Sequence, residues 1–330
     1  MNRNYLGLDV GGTKCAASLA RARGNAARAE DIEFLDRREF PTPKGDPQAA
    51  LERFSEEIDA ALDAAKLKYT DIAAIGISCG GPLDSRRGVI QSPPNLPGWD
   101  DVEIVSYFEK TTGIRAFLQN DANACAVAEW RFGAGTGANS MVFLTFGTGL
   151  GAGLILDGRL YAGASDMAGE IGHMRLRRGG PVGYGKAGSA EGFCSGGGIA
   201  QLGAAAVRKA VAKGEKPRLL EVAGSADAVT AKQIALLARE GDAMCADIYR
   251  KVGRRLGETL AVLTDIVNPE KIILGGIYMR SADLMRDEME KTLRREALPN
   301  ALRACEILPA GLGERVGDYA AIAVAVNAAG

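Results

Sequence analysis

Near the start of the chain, in LGLDVGGTK, an aspartate is followed by two glycines, a hydroxyl and a cation: Asp9, Gly11, Gly12, Thr13 and Lys14. Glycines let backbone N–H groups approach an anion with no Cβ in the way. Thr13 can donate to a phosphate oxygen, and Asp9, ending an apolar run, can hold Mg²⁺ directly or through water. A plain hairpin turn would use the same glycines. A second glycine turn begins at Gly147, 136 residues after Gly11, with Thr145, Gly147, Thr148 and Gly149 in TFGTGLGAG. Its GxGxxA spacing formally fits a dinucleotide fingerprint, which needs a helix to start at the glycines. LILDGRLY follows instead, a strand and an Asp-Gly hairpin, so that reading fails. No GxxxxGK[ST] is present either. Two glycine hairpins, one in each half of the chain, can clamp a triphosphate between two domains.

Asp121 lies in QNDAN between an apolar run and a helical pattern. Asn and Asp are ordinary N-caps. A carboxylate at a helix N-terminus is also biased toward its ionised form, the form needed to take a proton from an attacking hydroxyl. His173, in GEIGH, is the sole histidine. An imidazole can ligate metal or act as a base if suitable neighbours exist. The segment after it offers one cysteine, Cys194. Two Pro/Gly loops, GGPLD and SPPNLPGW, add Gly81, where backbone can approach a ligand, and Asn95, which can pair with hydroxyls; both also read as plain turns.

These residues need elements to position them. The first part of the chain reads as three strands, helix, strand, helix, strand, helix, and a glycine hairpin then opens a second half with long helices within 199–267. An alanine-rich closing helix is expected over 319–328. Strands alternating with helices call for sheets covered by helices, and 330 residues exceed what one core usually supports. The net charge of −1 argues against a surface built for nucleic acid or anionic membrane. Six scattered cysteines form no CxxC and read as buried thiols of a reducing cytoplasm. No stretch has the length of a signal peptide or a membrane span.

LGLDVGGTK, LQNDANACAVAEW, LTFGTGLGAGLILDGRLYAG, AGEIGH and NPEKIILGG, in this order, resemble the ROK family of sugar kinases and related repressors. The resemblance covers nearly the whole chain. It implies an α/β protein with the actin-like ATPase (ribonuclease H-like) fold, two domains with an interdomain cleft, ATP and Mg²⁺ as cofactors, and a homodimer. The expected division is 1–118 plus about 313–330 as a small α/β domain, and 119–312 as a large one. Asp9 to Lys14 and Gly147 to Gly151 become the two phosphate loops, with Gly275 and Gly276 near the adenine. The family often has a third glycine where this chain has Ile277. Asp121 becomes the general base. Asn120, Glu170, His173 and Glu191 become contacts to sugar hydroxyls, joined by Gly81 and Asn95.

One departure stands out. In the family GEIGH is usually followed by a segment like CxCGxxGCxE, whose cysteines and histidine hold a structural zinc. Aligned on Gly185, Gly188 and Glu191, this chain has Val182, Tyr184 and Ser189 at those places. His173 and Cys194 make at most two ligands, so no zinc is expected. Val182 and Tyr184 are expected to brace the loop as a small apolar cluster.

The leading expectation is a cytoplasmic ATP-dependent hexose kinase acting at the 6-hydroxyl of a glucose-like sugar. N-acetylhexosamine and fructose kinases, and a non-catalytic sugar-sensing or ATP-binding protein, are the alternatives. A repressor would need a helix-turn-helix ahead of the first phosphate loop, and with Asp9 nine residues from the start no nucleic-acid partner is expected.

Overall fold

The computed structural model describes residues 2–24 and 26–329. A five-stranded sheet has the order β3-β2-β1-β4-β7. Its strands are β1 (Arg3–Val10), β2 (Lys14–Ala22), β3 (Ile32–Pro41), β4 (Ile72–Cys79) and, after a short hairpin of β5 (Leu83–Asp84) and β6 (Val89–Ile90), β7 (Ala116–Asn120). A second five-stranded sheet, order β10-β9-β8-β13-β14, contains β8 (Met141–Phe146), β9 (Leu150–Leu156) and β10 (Arg159–Leu160). Its sequence is interrupted by the small hairpin β11 (Val182–Gly183) and β12 (Lys186–Ala187), then completed by β13 (Lys271–Leu274) and β14 (Glu306–Pro309). The helices are α1 (Pro47–Ala65), α2 (Ile104–Thr112), α3 (Asp121–Phe132), α4 (Ala190–Phe193), α5 (Gly196–Val211), α6 (Arg218–Ala223), α7 (Ala231–Arg239), α8 (Ala243–Val267), α9 (Ile277–Glu296), α10 (Pro299–Ala304) and α11 (Val316–Ala329). Among the described residues no helix is long and apolar enough to cross a membrane.

The chain folds into two compact units: Met1–Phe143 with Gly153–Ala168 and Ala310–Gly330, and Leu144–Ala152 with Gly169–Pro309. The boundary expected at 118 falls ahead of α3. That helix belongs instead to the first unit, because it packs along α11.

In the first unit, α1 starts at an Asp46 cap whose carboxylate accepts the Ala49 N–H at 2.9 Å, with Pro47 in the first turn. Leu51, Phe54, Ile58 and Leu62, three or four residues apart, share its buried face. Phe54 meets Phe40 and Phe108 edge-on, with centroids at 4.9 and 6.2 Å, joining α1, β3 and α2 in one core. On α11, Ala321 comes so close to β4 that a Cβ at Gly76 would lie 2.0 Å from its carbonyl oxygen. That glycine sets how near the helix can approach the strands that carry the site.

Glu129 anchors the C-terminal turn of α3. It is fully buried, and its carboxylate accepts the N–H groups of Ala134, Gly311 and Leu312 at 2.8–3.0 Å. A Glu129→Ala change removes the shared acceptor of three backbone donors, of which the Leu312 N–H is buried, and is expected to cost on the order of 2 kcal/mol, read as a lower urea midpoint at unchanged slope. An unchanged midpoint would show that water or a backbone shift takes over all three.

Candidate active site

The first glycine turn links β1 to β2, and Asp9 sits on the central strand opposite Ala16 of β2 and Ser78 of β4. A residue that no motif announces holds this turn. Thr42 Oγ1 donates to the Gly11 carbonyl at 2.6 Å, and its N–H donates to the Thr13 carbonyl at 3.0 Å. Asn95 crowds the same place: a Cβ on Gly12 would lie 2.4 Å from the Asn95 carbonyl, and one on Gly80 3.4 Å from the Asn95 amide oxygen. Asp9, Gly11, Gly12, Thr13 and Asn95 therefore share one locality. Gly81 belongs to the same loop, but a Cβ there would meet nothing within 4 Å, so packing does not require a glycine. The Lys14 ammonium is engaged by Glu39 Oε1 at 2.6 Å, a neighbour with which a phosphate would compete.

Asn120, rather than Asp121, caps α3. Its Oδ1 accepts the Asn123 N–H at 2.8 Å, while Asp121 is the first helical residue and accepts the Ala122 N–H at 2.7 Å. Asn123 is fully buried and its amide donates to Gln119 at 3.3 Å, a structural part. The expected bias of Asp121 toward its ionised form is reversed. Surrounding protein raises its pKa, and the loss of water outweighs the N–H donors of Ala122 and of Asp121 itself. The residue's own surface still reaches solvent.

Asp9 is pushed up to about 6, first by burial and then by the negative charge of Asp121. Arg37 and Lys14 pull the other way, and Asp318 adds to the rise. Arg37 bridges Asp318 and Glu39, each at 2.8 Å. Neither Arg37 nor Asp318 carries a motif, and the pairing of β3 with the start of α11 is a tertiary fact. Asp9, whose ionisation the charges of Asp121 and Asp318 disfavour, brings hard oxygen donors into a place of surplus negative charge. That fits Mg²⁺, which keeps several waters and needs only one or two carboxylates. Asp166, also outside the motifs, accepts from Ser85 through both its backbone N–H and its hydroxyl, at 2.8 and 2.7 Å. The Asn120 amide lies 3.5 Å from the Asp166 carbonyl, so this clasp adjoins the cap of α3.

In the second unit, the second glycine turn closes on itself through Gly147 N–H to Gly149 O at 2.9 Å, and Gly196 at the start of α5 donates to Gly147 O at 2.8 Å. Thr148 is exposed on this turn and Thr145 lies half-buried on β8. The Gly275 N–H donates to the Leu144 carbonyl at 3.0 Å, which sets Gly275 and Gly276 beside the strand that leads into the turn. GEIGH is anchored at Gly169, whose φ is +93° and whose Cβ would lie 1.9 Å from the Ala152 carbonyl. Only glycine fits there. The rest forms a 3₁₀ turn, Ile171–His173, with Glu170 and His173 exposed. Glu191, in α4, accepts the Leu150 N–H through Oε2 at 3.1 Å.

The loop after GEIGH is braced by polar contacts, not by the expected apolar cluster. Val182 is 46% exposed and Tyr184 73%, and Tyr184 meets the His173 ring edge-on, with centroids at 6.2 Å. In place of a cluster, the Gln201 amide pairs with the Val182 backbone in both directions, at 2.8 and 2.9 Å. The Lys186 ammonium donates to the His173 carbonyl at 2.8 Å. Ser189 caps α4 by accepting the Gly192 N–H. The Cys194 thiol is buried and faces the Val252 carbonyl at 3.8 Å. Among the described residues no group of three or more His, Cys, Asp or Glu is arranged to hold a metal.

Two α/β units, each carrying a glycine-turned hairpin, with carboxylates gathered beside the first of them, give the chain the actin-like ATPase fold. A model of the ROK family matches residues 5–327, and the chain belongs to that family. It is 31% identical to a glucokinase of Streptomyces coelicolor over 316 residues, 94% of each chain. Among solved structures, it is similar to a ROK hexokinase from Thermus thermophilus (TM-score 0.76, 30% identity, 98% of both chains covered). A ROK family glucokinase from Streptomyces griseus, in complex with glucose and AMPPNP, matches with TM-score 0.73 and 31% identity over 98% of this chain and 99% of that one.

Proposed function

We propose that this protein is an ATP-dependent hexose kinase that phosphorylates the 6-hydroxyl of a glucose-like sugar, with Asp121 as general base. The observation that carries the reading is Asp121 itself. Its carboxylate stands at the first turn of α3, reaches solvent, and has a pKa raised above the ordinary value. A raised pKa makes it a stronger proton acceptor toward a sugar hydroxyl. It shares a unit with Asp9 and the first glycine turn. The similarity to glucokinases and to a structure holding glucose with an ATP analogue supports the same reading.

In this mechanism Asn95, Asn120, Asp121, Glu170, His173 and Glu191 are the residues that take sugar hydroxyls. Carboxylates, amides and imidazole suit a polyol because each can pair with O–H groups. The turn at Gly11–Thr13 and the turn at Gly147–Gly149 present N–H donors to the phosphates, and Gly275 and Gly276 border the adenine. Mg²⁺ held by Asp9 would neutralise phosphate charge. Asp121 accepts the hydroxyl proton as the sugar oxygen bonds to the γ-phosphorus and the bond to the β–γ bridging oxygen breaks, leaving ADP. Positioning and charge neutralisation supply most of the remaining acceleration.

The test is ADP release from Mg-ATP against a panel of hexoses, N-acetylhexosamines and hexuloses. Rapid release with glucose alone is expected. Rapid release only with an N-acetylhexosamine or fructose would move the substrate. Silence across the panel, with ATP still bound, would overturn the kinase reading.

A further inference from the structure

Glu191 touches more than the face a sugar would use. Its Oε2 accepts the Leu150 N–H at 3.1 Å, and a Cβ on Gly149 would come within 2.7 Å of that oxygen. The carboxylate therefore lies against the second glycine turn itself. Among the described residues Oε1 takes no hydrogen bond. A carboxylate oxygen has room for such a bond, so one side chain can hold the turn and accept a ligand hydroxyl at once.

The backbone leaves this side chain little freedom. A Cβ on Gly183 would lie 2.6 Å from the Gly192 nitrogen and 2.9 Å from Glu191 Cβ. A Cβ on Gly172, inside GEIGH, would lie 2.0 Å from the Leu150 carbonyl and 3.3 Å from Glu191 Cβ. Glu191 is thus pinched between GEIGH and the β11–β12 hairpin, which Gln201 clips in place. GEIGH, the hairpin and the glycine turn all meet at this residue, and all lie in the second unit.

We propose that Glu191 is a positioning residue that couples the two ligands: one carboxylate oxygen holds the Leu150 amide, and with it the second glycine turn, while the other accepts a sugar hydroxyl. This rests on the kinase reading above. Either ligand, by contacting this carboxylate or the turn it holds, steadies the bond between them, so the second binds a more ordered site. The effect is reciprocal: sugar tightens nucleotide and nucleotide tightens sugar by the same factor.

The test uses Mg-ADP, which binds without reacting, and the sugar that the turnover panel selects. In the wild-type protein the sugar is expected to tighten Mg-ADP by about fivefold or more. In Glu191→Ala that ratio falls to one and the Leu150 amide exchanges faster with solvent deuterium, at unchanged circular dichroism. Glu191→Gln retains an acceptor oxygen and is expected to keep the Leu150 protection and part of the coupling. A wild-type sugar effect that survives in Glu191→Ala overturns the proposal. So does unchanged Leu150 exchange in that variant, or the absence of any sugar effect in the wild type. The kinase reading is judged separately by turnover, and Leu150 exchange needs no sugar, so the two failures are distinguishable.

Discussion

Asp121→Asn is expected to lower kcat by about 10²–10⁴, the span of a lost general base, while Mg-ATP still binds. The substitution keeps the size of the side chain and leaves an oxygen to accept the Ala122 N–H, which the native carboxylate accepts at 2.7 Å. Folding should therefore be little affected. The pH profile gives a second check. A base must be unprotonated, and the surrounding protein raises the Asp121 pKa, so wild-type kcat should climb with pH along a limb displaced upward from the ordinary aspartate value. In Asp121→Asn that limb should vanish. Single-turnover rates and equilibrium ATP binding separate chemistry from binding. Unchanged turnover in the variant would remove Asp121 from the mechanism.

Asp9→Asn is expected to act in opposite directions on stability and on activity. The native carboxylate titrates at about 6, above its ordinary value of 3.8. The folded state therefore holds the proton more tightly than the unfolded chain. This group's contribution to stability is full below about pH 4 and is lost as pH rises through 6. At pH 7.5 an ionised Asp9 costs the fold on the order of 2 kcal/mol after allowance for solvent screening. Asparagine removes that cost, so in EDTA the variant should melt several degrees higher at pH 7.5, with the gain fading toward pH 4. Turnover should fall on the order of 10²–10³, because the phosphate charge loses its metal ligand. A variant that melts lower at pH 7.5 would show that Asp9 is held by favourable contacts rather than by burial against its own charge. One that turns over normally would remove Asp9 from the metal site.

The two substitutions separate the contributions within one electrostatic cluster. Asp121 contributes to the raised pKa of Asp9, so Asp121→Asn should also lower the Asp9 midpoint. Arg37 works in the other direction and is tied to Asp318 and Glu39. The acidic charge of the centre is thus balanced by a residue from β3, outside every recognisable motif.

Much of this protein follows from local sequence. β1 ending at Val10, the two glycine turns, the strand leading to Gly275 and the helix that starts within QNDAN are each dictated by residues within a few positions of one another. Rejection of the dinucleotide reading needs only the strand LILDGRLY, and that segment is β9 running into β10. The resemblance to the ROK family also lies in contiguous motifs, and the family match over 5–327 agrees with it.

Tertiary structure decides what depends on distant partners. Helix α9 and strand β14 have no flanking signal strong enough to stand out, and both exist through packing against α8 and pairing with β13. Thr42, Arg37, Asp318, Asp166 and Gln201 are ordinary polar residues whose roles come from where the fold brings them. The direction of the Asp121 pKa is not legible from its helix position, because burial by the whole surrounding protein outweighs the local N–H donors. The brace of the loop after GEIGH escapes the sequence for a similar reason. Hydrophobic side chains read as core from composition, but Val182 and Tyr184 sit on the small β11–β12 hairpin and are exposed. A side-chain amide on α5, nineteen residues along the chain from Val182, does the holding. Short-range geometry is written in neighbouring residues. Charge balance, burial and bracing depend on pairs that only the folded chain brings together.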